Sequence, residues 1–341
     1  MKKSLMTLGV LALFVLMAYG QEKKFALYSV AFYNMENLFD TIHDEGKNDY
    51  EYLPNGTNQW NTMKYKAKLK NMSEILSMLS TDKLPMGPAI IGVSEIENYR
   101  VLEDILKQPA LADRGYQYVH YEGADQRGVD CAFFYNPKLF ELTNSKLVPY
   151  VYINDTVHKT RGFLIASGNI AGEKMHFIVN HWPSRAAASP ARERAGEQVR
   201  AIKDSLLRED SAAKIVIMGD MNDDPMDKSM AVALGAKRKP VDAGPTDLYN
   251  PWWDTLKKGY GTLMYKGKWN LFDQIVFTGN LLGTDRSTLK FYKHEIFRRD
   301  FMFQKEGKYK GYPKRTQAGG VWLNGYSDHL PTIIYLIKEV K

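Results

Sequence analysis

A single cysteine in 341 residues, Cys131, excludes an intramolecular disulfide framework and any cysteine-rich zinc site. No Pro/Gly/Ser-rich linker, internal repeat or low-complexity tract divides the chain. Beyond the N-terminus there is no long amphipathic or aromatic stretch suited to insertion into a bilayer. The apolar segment 5–17 falls short of the roughly 20 residues that a membrane-spanning helix needs. It follows Lys2 and Lys3 and precedes Ala18-Tyr19-Gly20, the layout of a secretory leader cut near Gly20, with an uncleaved anchor as the alternative. No cysteine follows that segment, so nothing indicates a lipidated N-terminus. The expectation is a leader over 1–20 and one domain over 21–341. Such a protein would be exported from a bacterium, to the periplasm or beyond, as a monomer with no stable protein partner.

The chain does have a positive excess. Its net charge is +7, of which Lys2 and Lys3 supply two, leaving +5 on residues 21–341. That balance tilts toward a polyanionic substrate but decides nothing by itself. Strand-like runs fall near 25–33, 89–94, 116–121, 129–135, 161–170, 175–180, 214–218, 273–277, 288–297 and 331–337. Helical spacing marks 60–79 and 190–207, the latter opening on Pro190, and a shorter stretch at 101–106. Ten strands with few helices fit two packed sheets with helices outside. Segment 236–270 has no clear period and reads as long loops. Cys131 lies in an apolar strand pattern and reads as a small core residue.

Polar clusters sit at the ends of those strands, where a rigid sheet can hold catalytic groups in place. Asn34-Met35-Glu36-Asn37 follows one apolar run and Glu95 closes another. Asn180-His181-Trp182-Pro183-Ser184-Arg185 closes a third, and Gly219-Asp220-Met221-Asn222 a fourth. Asp273 opens a short run, Ser327-Asp328-His329 precedes the last one, and Arg127-Gly128-Val129-Asp130 leads into another. Each alone also reads as a turn, because Asp and Asn bond their own backbone. Together, and in this order, they resemble the endonuclease/exonuclease/phosphatase superfamily, the deoxyribonuclease I-like fold, over roughly residues 25–340. The resemblance implies a four-layer α/β/β/α sandwich with the site in a cleft at one edge, the loops of 236–270 lying around it. It also implies a metal-dependent phosphoesterase.

Oxygen donors at several strand ends, without a Cys/His cluster, suit a hard cation, Mg²⁺ or Mn²⁺. Glu95 is the direct ligand that the resemblance implies, with Asn34 and Asp328 completing the neighbourhood and Glu36 a further candidate. Asp220 suits acceptance of a proton from the attacking water, and Asn222 can hold that water or a phosphoryl oxygen. His181 and His329 can each donate to phosphate when protonated. The resemblance pairs Asp273 with His329, and Asp130 is a candidate partner for His181. Whether Asp220 or His329 is the base stays open. Arg127, Ser184 and Arg185 are candidate phosphate contacts.

The remaining histidines (His43, His120, His158, His176 and His294) read as structural or exposed. Arg192-Glu193-Arg194 reads as an exposed helix face, and Trp252-Trp253 either as a base-stacking platform or a loop anchor. The expected activity is nuclease, on nucleic acid. Lipid or small-molecule phosphoester hydrolysis is the alternative, and a binding protein that has lost catalysis is disfavoured because every motif position is intact.

Overall fold

A computed structural model describes residues 23–340 other than 154 and 156. The expected leader, 1–20, lies outside the described residues. Among those described, no helix is long and apolar enough to cross a membrane.

Strands β1 (Lys24–Leu38), β2 (Ile90–Ile96), β3 (Gln117–His120) and β4 (Asp130–Tyr135) are followed by β5 (Glu141–Val148), β6 (Phe163–Ile170), β7 (Glu173–His181) and β8 (Lys214–Asp220). Then come β9 (Leu248–Tyr249), β10 (Leu263–Tyr265), β11 (Lys268–Asn270), β12 (Asp273–Thr278), β13 (Lys290–Ile296), β14 (Gln317–Ala318), β15 (Val321–Trp322) and β16 (Thr332–Val340). Two six-stranded sheets result, in the orders β13-β16-β1-β2-β4-β3 and β5-β6-β7-β8-β12-β9. Both are mixed, since β1–β2 and β7–β8 run parallel while the other neighbours within these sheets are antiparallel.

The layers follow from alternation along the strands. On β1, Val30 and Phe32 face the second sheet and meet Phe177, Val179, Val216 and Met218. Ala31 and Tyr33 point the other way, onto helices α1 (Thr62–Met78) and α2 (Tyr99–Leu106). On β8, Ile215 and Ile217 pack outward against Ala195, Val199 and Leu206 of α3 (Ser189–Glu209). The four-layer α/β/β/α sandwich is therefore observed. Gly92 marks how closely the sheets approach, because a Cβ there would lie 2.6 Å from the Met218 sulfur.

The long helices and most strands stand where periodicity places them. Edge strand β5 was missed because it is largely exposed and alternates poorly. Segment 236–270 is more ordered than a set of loops: it contains β9, the short helix α4 (Trp253–Lys257) and the β10–β11 hairpin. Trp252 is fully buried between the sheets, its indole N–H donating to the Ile275 carbonyl at 2.9 Å, so it is an anchor and no platform for bases. Arg192 corrects the reading of an exposed face. It is buried, with its Nε 2.8 Å from Asp223, and ties α3 to the loop after β8. Cys131 is buried in the inter-sheet core, where burial pushes its thiol up.

His294 packs edge-on to Trp252 at 4.8 Å, with its Nε2 3.0 Å from the Thr255 hydroxyl. Burial, then Lys258, lowers its pKa to about 4. A histidine depressed in the fold and ordinary when unfolded takes up its proton on unfolding as pH falls below about 6.5. Stability should therefore drop between about pH 6.5 and 4, by on the order of 2 kcal/mol from this group. Urea titrations of wild type and His294→Phe across that range check this, the variant losing less.

Candidate active site

The strand registers bring the polar clusters together. On adjacent strands His181 pairs with Asp220, and Asp220 with Asp273, so three titratable groups stand in a row at one edge of the second sheet. In the first sheet Asn34 pairs with Ser94, which sets Glu95 beside it. Gly219 has no space for a side chain, since a Cβ would lie 2.4 Å from the Asn180 carbonyl oxygen. Glu36, Asn37, Glu95 and Asn222 all adopt left-handed backbone, with φ of 47°, 52°, 58° and 51°. Strain of this kind, especially at glutamate, gathers at functional sites.

One amide joins the sheets. Asn34 Nδ2 donates to Glu95 Oε1 at 3.2 Å and to Asp220 Oδ2 at 3.0 Å. Glu95 Oε2 accepts from the Asn37 amide at 3.0 Å, and Asp220 Oδ1 from the Asn222 amide at 2.9 Å. His181 Nε2 lies 3.5 Å from Glu95 and 3.7 Å from Asp220. His329 Nδ1 donates to Asp273 Oδ2 at 2.7 Å, and its Nε2 points to within 3.9 Å of Asp220. Glu95, Asp220, Asn222, His181 and His329 line one cavity of ≈ 430 Å³.

The two histidines have opposite electrostatics. Burial opposes charge on His329, but Asp273 and Asp220 outweigh it and hold the ring well above its ordinary pKa. Burial, then Arg161 and Arg127, pushes His181 well below its ordinary pKa. Burial raises the Asp220 carboxyl, with Asp273 and Glu95 adding to it and His329 opposing.

Other expected residues stand elsewhere. Asp130 does not reach His181. It lies 3.2 Å from His120 Nε2 and accepts from the Gly123 amide at 3.0 Å, because the β3–β4 pairing sets it beside its own hairpin. His181 Nδ1 has no partner among the described residues.

Glu36 and Asp328 turn toward Arg315, whose Nε and Nη2 reach them at 2.9 and 3.0 Å. Glu36 also accepts from the Thr316 amide and faces the fully buried Lys68 at 3.8 Å. An arginine fork thus bridges Glu36 and Asp328, two of the expected metal residues; of the other two, Glu95 lines the cavity and Asn34 is buried beside it, donating to it.

Arg185 likewise corrects an expectation. It is held by Asp223, Asp224 and Asp227 at 3.4, 3.3 and 2.9 Å, over the face of Phe272, and not free for phosphate. Ser184 lines the cavity rim, its Oγ accepting from the Ala186 amide at 3.3 Å, and Arg127 lines it too, half exposed.

Three residues that sequence reasoning passed over belong here. Arg161 is buried at the cavity wall, donating to Asp125 at 3.1 Å and to the Trp182 carbonyl at 2.8 Å, while its Nε has no partner among the described residues. Thr262 receives the Leu330 amide at 2.9 Å on its carbonyl and the Asp273 amide at 3.3 Å on its hydroxyl, so it fixes the His329–Asp273 pair. Arg315 is the third. A lone Thr-Arg before a strand, or a Lys-Arg in a basic run, gives no local signal of these roles.

The donor set fits a hard divalent cation. Atoms of Glu95, His181 and Asp220 lie within 4.8 Å of one another. Two carboxylates share a single Asn34 amide group, an arrangement that a cation would relieve. The Glu95 side chain is 16% exposed against 2% for Asp220, so it is the carboxylate offered to the cavity.

The chain matches the Endonuclease/Exonuclease/phosphatase family over residues 29–338. It belongs to that family. Its members are phosphoester hydrolases that depend on a divalent metal. No curated protein sequence matches the chain. Among solved structures, an endonuclease/exonuclease/phosphatase family protein from Bacteroides thetaiotaomicron superposes with a TM-score of 0.58 at 15% identity, covering 93% of this chain and 97% of the other. A mannosyl-6-phosphatase of the same organism gives 0.56 at 15%, covering 91% and 99%. D. rerio TDP2, complexed with a single-strand DNA product, gives 0.52 at 14%, covering 91% and 99%. At these identities the shared feature is the fold, and the names differ in substrate.

Because Arg185 neutralises three aspartates, Arg185→Ala should lower stability by about 1 kcal/mol while changing KM less than about twofold. Thermal melts and initial rates on a small phosphodiester separate this from a phosphate-binding role, which would raise KM several-fold.

Proposed function

We propose that the protein is a divalent-metal-dependent phosphodiesterase that hydrolyses nucleic acid. The observation carrying this reading is the buried His329–Asp273 pair facing Asp220 at a cavity that Glu95 lines, with Asn34 bound to both carboxylates behind it. Glu95, with Asn34 beside it, would hold the metal, which supplies Lewis-acid stabilisation of phosphoryl charge.

Asp220 stands with one oxygen fixed by the Asn222 amide and the other near both histidines, so it can take the proton of an attacking water. Its raised pKa suits a base that works near neutrality. His329, kept charged by Asp273, donates from Nε2 toward a phosphoryl or leaving oxygen. Assigning acceptance to Asp220 and donation to His329 follows from that division of charge.

Asn222 Nδ2 is bound to the Trp182 carbonyl at 3.0 Å, which orients the side chain as a neutral positioner of water or phosphate. His181 adds a donor without adding charge. Arg127 and Arg161 give the far wall of the cavity a positive face for the non-reacting phosphate oxygens. The leader-like segment 1–20 supports a place of work outside the cytoplasm.

Turnover of bis-p-nitrophenyl phosphate should vanish on dialysis against EDTA and return with Mg²⁺ or Mn²⁺. Full activity of the metal-free protein would defeat the proposal. Asp220→Asn and His329→Ala should each lower kcat by on the order of 10²–10⁴ with little change in melting temperature. A folded variant that keeps more than roughly a tenth of the wild-type rate would show its role to be misassigned.

A further inference from the structure

The positive charge of this chain is not spread over its surface. Residues 298–315 carry seven cationic side chains and only two acidic ones, Asp300 and Glu306, a net +5. That equals the whole excess of residues 21–341, so the remainder of that span is balanced. Within this segment only Arg315 has an acidic partner within ion-pair distance among the described residues.

The segment folds as a hairpin. Phe303 bridges Pro313, the Gln304 amide donates to the Tyr312 carbonyl and the Gly311 amide to the Gln304 carbonyl, both at 2.8 Å. Lys305, Lys308 and Lys310 stand exposed at its tip. Its returning limb delivers Arg315 to Glu36 and Asp328, next in sequence to His329. Tyr309, 52% exposed at the tip, lines a second cavity of ≈ 390 Å³ together with Glu36 and Asn37. The Asn37 amide is the one bound to Glu95, so this cavity borders the proposed reaction site. On the hairpin's other flank, Arg298, Arg299, Lys305 and Lys310 line a basic recess of ≈ 390 Å³. Aromatic rings alternate with these cations: Arg298 lies 4.9 Å from both Trp269 and Phe303, and Phe301 is 40% exposed.

We infer that this hairpin is a docking track for a single-stranded nucleic acid whose backbone it guides toward Glu95 and Asp220. The inference rests on the phosphodiesterase reading and names its substrate class. Unpaired cations in a row neutralise successive phosphates, and exposed rings beside them stack bases without regard to sequence. An anionic membrane would also attract the charge, but insertion calls for a contiguous apolar face, and here the exposed rings are interrupted by charge.

The test is fluorescence anisotropy of a labelled single-stranded oligonucleotide, titrated in EDTA at several salt concentrations, on wild type and the triple variant Lys305→Ala/Lys308→Ala/Lys310→Ala. Binding in EDTA does not require catalysis, so its outcome stands apart from that of the diester assay. The triple variant should bind at least tenfold more weakly at low salt, with the log–log salt slope reduced by roughly 2. Its turnover of bis-p-nitrophenyl phosphate should stay within about twofold of wild type, and the corresponding triple Lys→Arg variant should retain affinity. An unchanged salt slope in the alanine variant would overturn the inference. So would wild-type binding to phosphatidylserine vesicles with none to the oligonucleotide.

Discussion

Crowding of buried carboxylates at one end of two packed sheets is the constraint on which the rest of the site depends. Asp220 and Asp273 are at most 2% exposed, yet both sit within reach of Glu95 or of each other's partners. Like charges placed this way are costly in a low-dielectric interior unless something offsets them. The fold supplies the Asn34 amide between Glu95 and Asp220, backbone amides from Asn37 and Asn222, and a charged His329 against Asp273. These offsets leave Glu95 facing the cavity with acceptor capacity to spare, which is the condition for holding a cation. The left-handed residues at 36, 37, 95 and 222 are where the backbone bends to make this arrangement.

A second network stands against the first and keeps it separate. Lys68, Glu36, Arg315 and Asp328 form a chain from helix α1 to the Ser-Asp-His turn. Burial, then Asp328, raises the Glu36 carboxyl to about 7 while Lys68 and Arg315 oppose it. The network therefore holds a nearly complete set of its own counter-charges, its two acidic members both bound by Arg315. Arg315 belongs at once to this network and to the basic hairpin.

Much of this was legible before any coordinates. Apolar runs marked strands near 25–33 and 214–218, where β1 and β8 stand, and the strand-end clusters marked Asn34, Glu95, His181, Asp220, Asp273 and His329, which meet in space. What failed were pairings between neighbours on different hairpins. Asp130 follows Arg127-Gly128 in sequence, but its strand pairs with β3, so its carboxylate finds His120. Arg185 comes four residues after His181, but the loop after β8 folds under it with three aspartates. Such choices depend on loop paths, which periodicity does not encode. Arg161 and Thr262 were missed for the same reason, since each acts through distant backbone carbonyls and amides and not through a local pattern.

The account turns on Glu95 being the carboxylate that takes the metal. A crystal of the protein soaked in Mn²⁺ and measured at the manganese edge tests this directly. The account predicts an anomalous peak within coordination distance of a Glu95 oxygen, beside Asn34, with Arg315 still bridging Glu36 and Asp328. A peak lodged between Glu36 and Asp328 with Arg315 displaced, or none near Glu95 in a protein active with Mn²⁺, would contradict it.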